Sequence, residues 1–183
     1  DLAFTMHMLS WLAVDGVAAI VEFPGVLYRG GAEAKIRKYL VDNNYVDAVI
    51  QLPPDLFFGT TIGTCIIVLK KAKRDNAVLF VDASKQFVRQ GNKNKLSPEN
   101  QEAILGMLRE RANVEYTAAL VDAERIVDNG YNLSVSAYVE AEDTREVIDI
   151  AELNARIRRI VTHQEELRAG IDKIVADLEG DEK

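Results

Sequence analysis

The chain has 183 residues, 48% hydrophobic and 28% charged, the composition of a folded globular protein rather than a fibrous or disordered one. Its net charge of −7 is uneven: residues 1–95 carry 12 Lys/Arg against 9 Asp/Glu, a balance of +3, whereas residues 96–183 carry −10. No apolar run reaches the roughly 18 residues of a membrane span, no start has the basic-then-apolar look of a secretory signal, and a lone cysteine excludes an internal disulfide, so a cytoplasmic location is expected.

AFTMHMLSWLA places Phe4, Met8, Leu9 and Leu12 at helical spacing, and Gly16 stops that helix. GVAAIVEFP is an unbroken apolar run closed by Pro24, which predicts a central strand of a covered, largely parallel sheet. Residues 32–43 read as an amphipathic helix with Ile36, Tyr39 and Leu40 facing inward. VDAVIQL, TCIIVLK and NAVLFVDAS supply further strands, so the class is α/β. Cys65, in the second of these, reads as a buried thiol. Before it, LPPDLFFGTTIGT sets Phe57 and Phe58 among turn residues, an odd place for two aromatic side chains. Beyond residue 96 the chain reads as acidic and helical, with Ser97 as cap, Pro98 in the first turn and a break at Asn129-Gly130.

In the last segment Leu153, Ile157, Ile160, Gln164, Leu167, Ile171, Ile174 and Leu178 are spaced alternately four and three apart, a heptad seam. One apolar stripe on so long a helix needs a partner helix. Gln164, the single polar member, is of the kind that fixes register at a cost in stability.

No GxGxxG or Walker loop, catalytic triad or paired carboxylates stand out. His7 and His163 lie far apart, so no metal site is expected. Cations cluster in YRGGAEAKIRKYL, KKAKR and KQFVRQGNKNK, and local clusters of this kind suit phosphate contact. Gly30-Gly31 opens the helix bearing Lys35, Arg37 and Lys38. With Arg29, these make a candidate site for DNA backbone.

AFTMHML, GGAEAKIRKYL, DAVIQLPPDLFFGTTIGTCIIVLKK, VLFVDASKQF and NGYNLSVSAYV occur in this order, and with them the chain resembles the C-terminal half of the modification (M) subunit of type I restriction-modification systems, an adenine-N6 DNA methyltransferase. The resemblance implies the C-terminal part of a Rossmann-like, S-adenosylmethionine-dependent methyltransferase sheet, followed by helices and a long coiled-coil-like C-terminal helix. It divides the chain into half of a catalytic domain (1–95), a helical or irregular extension (96–146) and a helix for subunit association (147–183). In the family a glycine-containing cofactor loop and an Asn-Pro-Pro-Phe motif precede the stretch resembling AFTMHML. Neither is present here, so these residues by themselves are expected to be inactive.

An adenine amino group is out of reach inside a duplex, and the target base is flipped into a pocket. By resemblance Phe57 is the stacking platform for that base, with Phe58 as the alternative, since successive residues of an extended segment point opposite ways. Phe4 falls where the family lines the adenine side of S-adenosylmethionine. The implied partners are DNA, the specificity (S) subunit, a second modification subunit and the restriction subunit. The final helix would meet the helical spacer of the S subunit or a neighbouring M subunit. Ser136-Ala137 stands where the family commonly has an arginine before the tyrosine, which puts any contact of that arginine in doubt. A second reading, of another class, is a non-catalytic assembly module whose sheet presents the terminal helix to partners.

Overall fold

The structure is a computed structural model that describes residues 1–142 and 149–180, within two units, Asp1–Glu142 and Asp143–Lys183. In chain order the first unit contains α1 (Leu2–Trp11), β1 (Val17–Glu22), α2 (Ala32–Asp42), β2 (Val46–Gln51), β3 (Cys65–Lys70) and β4 (Val78–Asp82). It continues with β5 (Val88–Gln90), β6 (Lys93–Lys95), α3 (Pro98–Glu110), β7 (Ala118–Val121) and α4 (Ala123–Asp128). The second unit contributes α5 (Ile150–Gly180).

Five strands form one sheet in the order β1-β3-β2-β4-β7, and β5 and β6 make a separate hairpin. Period-two alternation divides the sheet's side chains between two cores. On one face Val49, Ile67, Leu69 and Phe80 pack with Leu2 and Leu9 of α1, Leu40 of α2 and Ile126 of α4. On the other, Ala48, Ile50, Leu79 and Val81 pack with Ile104 of α3. Each such aliphatic side chain, fully buried, contributes about 1.5–3 kcal/mol of gross driving force.

Several expectations need correction. Only β2 and β4 run parallel; the β1–β3, β2–β3 and β4–β7 pairs are antiparallel, so the sheet is not largely parallel. β1 lies at an edge rather than in the centre, and its residues alternate between exposed and half-buried. Ala18 and Ile20 pack against the core, while Val17 and Val21 remain exposed. The apolar residues Val17–Val21 say both faces suit burial, but not whether these 183 residues supply the cover. Tyr39 is exposed, and the place expected for it on the inner face of α2 goes to Val41 and the buried Arg37.

The acidic stretch after residue 96 is also less helical than expected. α3 begins as predicted, with a reciprocal cap in which Asn100 N donates to Ser97 Oγ and Ser97 N donates to Asn100 Oδ1. Residues Ala118–Val121, however, form β7 and complete the sheet beside β4, so the boundary expected at residue 95 falls inside one compact unit. The boundary expected at residue 146 lies outside the described residues. NGYNLSVSAYV returns to the body as expected: Leu133 N donates to Leu27 O at 2.9 Å, and Tyr138 stacks on Phe80 with ring centroids 4.2 Å apart.

α5 is a 31-residue helix whose stripe residues Leu153, Ile157, Ile160, Leu167, Ile171, Ile174 and Leu178 are all exposed. Among the described residues, no helix is long and apolar enough to cross a membrane.

Candidate functional site

The loop between β2 and β3 carries the aromatic pair. Its two ends are tied together where Leu52 N donates to Thr64 O at 2.8 Å, so residues 53–63 project from the sheet as a closed excursion. Gly59, at φ +82, takes the left-handed conformation that lets the chain reverse just after the two phenylalanines. The loop stands beside the end of β1, and together they frame an open pocket of about 390 Å³ lined by Val21, Glu22 and Phe23 on one side and by Phe57, Phe58 and Thr60 on the other. Both candidate rings therefore border the same cavity. Phe57 is 42% exposed and so has one part packed and one part free, whereas Phe58 is 96% exposed and has almost nothing to hold it. Thr64 also lines the pocket, and its buried hydroxyl has no hydrogen-bond partner among the described residues.

Cys65 is buried behind this wall, and its thiol contacts Glu22 O at 3.4 Å. Burial, with the nearby Glu22 carboxylate, pushes the thiol up to about 12. It is structural, as the sequence suggested.

Most of the expected DNA-facing cations are engaged within the chain. Arg37 is only 3% exposed; it donates to Tyr131 O and Val26 O, each at 2.9 Å. It is a correction to the sequence reading: the guanidinium ties α2 to the NGYN segment and faces no phosphate. Lys38 is exposed, but its Nζ donates to Tyr131 Oη at 2.6 Å and pairs with Asp42 at 2.9 Å. The bond to Tyr131 and then the one to Asp42 raise the lysine above its ordinary value. Arg29 is exposed and lies 3.9 Å from Glu33. Lys35 is exposed and, among the described residues, has no ion-pair partner. Gly31, at φ +70, sits at the N-cap of α2 in the backbone role expected of the glycine pair.

Two of the four cations of KKAKR, Lys71 and Lys73, are likewise spent on carbonyls. Lys71 Nζ donates to Leu12 O, and Lys73 Nζ donates to Val46 O and Ala77 O at 2.7 and 2.8 Å. Sequence reasoning missed these roles, because a lysine that staples two backbones has the same sequence signature as one that is solvated.

Phe4 is 73% exposed on α1 and is absent from the lining of the Phe57 pocket. Trp11, at 82% exposure, and Val14, at 75%, continue the uncovered apolar surface at and just beyond the end of that helix. Phe4, the residue that the resemblance assigns to S-adenosylmethionine, is thus a free ring on the surface of α1. No group of three or more His, Cys, Asp or Glu among the described residues is placed to hold a metal.

The fold is a mixed α/β sheet in which two loop phenylalanines border an open pocket beside the edge strand β1. The chain belongs to the N-6 DNA methylase family, whose profile matches residues 1–147. It is 46% identical over 182 residues to the type I restriction enzyme MpnII methylase subunit of Mycoplasma pneumoniae, covering 99% of this chain and 34% of that protein. It is 36% identical over 149 residues to the type I restriction enzyme MjaVIII methylase subunit of Methanocaldococcus jannaschii, covering 78% of this chain and 26% of that one. The crystal structure of a type I restriction-modification methyltransferase subunit from Streptococcus thermophilus superposes with a TM-score of 0.75 at 42% identity, over 76% of this chain and 30% of the other. The EcoKI M protein shares the fold alone, with a TM-score of 0.63 at 16% identity over 93% of this chain and 44% of the other. The resemblance seen in the sequence is borne out, but the chain spans about a third of the MpnII subunit's length rather than the expected half.

Proposed function

We propose that this chain is part of an adenine-N6 DNA methyltransferase, the modification subunit of a type I restriction-modification system, and that its contribution to the site is the wall on which the flipped adenine stacks. The observation that carries this reading is the Phe57 ring, partly packed and partly free, at the border of an open pocket between the loop and the end of β1. Stacking on such a ring is worth about 1–3 kcal/mol per base and offsets part of the cost of unstacking the target. Phe57 fits this role better than Phe58, because a platform must be held by its surroundings before it can orient a base.

The remaining machinery is assigned to the two thirds of the relatives' length that this chain does not span. S-adenosylmethionine would supply the methyl group and would be held by those residues, with Phe4 as this chain's single candidate contact. The asparagine carbonyl that would accept from the target amino group belongs to the same missing set, and the 183 residues alone should not methylate DNA. The open edge of β1 and the uncovered ring of Trp11 are read as the seam at which the rest of a Rossmann-like sheet joins. Lys35 and Arg29 remain candidates for DNA backbone. α5 would form a coiled coil with the specificity subunit or a second modification subunit, and the restriction subunit would join the full complex.

The test is Phe57→Ala in the longer protein that carries this segment, assembled with its partner subunits. Methylation of duplex DNA should fall by roughly tenfold to a hundredfold, the loss of about 1–3 kcal/mol of stacking. Assembly, followed by size-exclusion chromatography, should be unchanged. Full methylation by the variant would reject the platform. Lost assembly with residual methylation would instead favour the second reading, an assembly module, which the exposed stripe of α5 supports.

A further inference from the structure

The β5–β6 hairpin reaches the aromatic loop chiefly through Lys93 and Asn94 of β6, with Arg89 of β5 beside them. Lys93 Nζ donates to Phe57 O at 3.1 Å and to Thr60 O at 3.2 Å, and Asp55 Oδ1 lies 3.9 Å away. Its neighbour Asn94 is buried and donates twice: the side-chain amide to Pro54 O at 2.8 Å and the backbone N–H to Asp55 O at 3.1 Å. Arg89 Nη1 in turn donates to Asn94 Oδ1 at 3.0 Å and approaches Asp55 Oδ2 at 3.5 Å. Asp55 itself stands at φ +58, a conformation that aspartate tolerates but that persists when surrounding bonds hold it.

We propose that Lys93 is a positioning residue for the base platform. It draws the carbonyls of Phe57 and Thr60 onto one ammonium, and these are the first and last residues of the turn that contains Phe58 and Gly59. A compact charge with three protons suits two carbonyls and a nearby carboxylate, and charge-assisted bonds of this kind are about twice as strong as neutral ones. With the turn closed, the Phe57 ring stays at the pocket wall and Phe58 is directed outward. Without it, the loop remains anchored at Pro54 and Asp55 by Asn94, but the ring-bearing half is free to reorient. The inference rests on the reading of Phe57 as platform and deepens it.

Lys93→Met keeps the aliphatic stem and removes the donors. In the 183-residue chain, limited digestion with chymotrypsin should cut after Phe57 or Phe58 several times faster in the variant. Cutting after Phe4 and Trp11 on α1 should be unchanged, and serves as the control for general loosening. Equal cutting at the loop, or the same acceleration at every site, overturns the clamp. In the assembled longer protein, with S-adenosylmethionine and duplex DNA bearing 2-aminopurine at the target position, the variant should lose on the order of tenfold in kcat/KM and part of the fluorescence gain of the everted base. Cofactor affinity should not change. If Phe57→Ala methylates normally while the chymotrypsin result holds, the platform falls and the clamp stands. If Phe57→Ala fails and Lys93→Met methylates at the unmodified rate, Lys93 positions nothing that the reaction needs.

Discussion

A guanidinium buried in a small domain is costly unless every proton finds an acceptor, so Arg37 shows what α2 is built to do. Its donations to Val26 O and Tyr131 O join segments far apart in sequence, and both carbonyls lose this donor if the guanidinium is removed. Arg37→Met should therefore destabilise the chain by about 2–3 kcal/mol, seen as a lower denaturant midpoint at unchanged slope. Cys65 makes a statement about pH. Its thiol titrates at about 12 in the fold against an ordinary value of 9.0, mainly because burial disfavours the thiolate. The native state thus keeps a proton that the unfolded chain releases. This contribution is fully present below about pH 9 and is lost as the pH rises toward 12. Native protein at pH 8 should resist iodoacetamide, while protein in denaturant should react at the rate of an ordinary thiol. Fast alkylation of the folded chain would mean that the strand opens locally.

At the scale of the element, α5 is governed by its stripe. Seven exposed apolar residues and Gln164 lie along one face of 31 residues, and no helix of that pattern is stable in water on its own stripe. Gln164→Leu should strengthen self-association of a peptide covering Ile150–Gly180, lowering by several-fold the concentration at which its helical circular dichroism saturates. If the variant associates no more tightly, the stripe is not a helix–helix seam. This helix was legible because its signal is periodic and long. The interior strands were legible for a related reason: VDAVIQL, TCIIVLK and NAVLFVDAS are dense in β-branched and aliphatic residues. β7 was missed, since its four residues lie among charged neighbours that read as helix, and its identity depends on pairing with β4. β5 and β6 were missed too, because strands of the type KNK have no apolar alternation to detect. The aromatic pair could be singled out by its place among turn residues, and its role only through the family resemblance, but the lysine that bonds to its loop could not be found either way. A staple and a solvated charge differ only in what the fold brings near.

For the whole molecule, the division of labour predicts independence. Residues Asp1–Glu142 contain both apolar cores, the capped α3 and the returning Tyr138, so folding should need nothing from Asp143–Lys183. A chain ending at Glu142 should unfold in one cooperative step, with stability within about 0.5 kcal/mol of the full 183 residues, as expected when surface elements outside the core are removed. The edge of β1 supplies the opposing pressure. It offers unpaired backbone groups next to exposed Val17 and Val21, with Phe23 just beyond, and such an edge invites pairing with another strand. The shortened chain should accordingly stay folded but associate as its concentration rises, even without the α5 stripe, and Val21→Lys should reduce that association while leaving the unfolding midpoint nearly unchanged. Sedimentation across a concentration series separates the two surfaces. Association that vanishes with α5 assigns all the stickiness to the helix, whereas association that survives its removal and yields to Val21→Lys locates a second joint at the sheet edge, where the proposal places the rest of the methyltransferase.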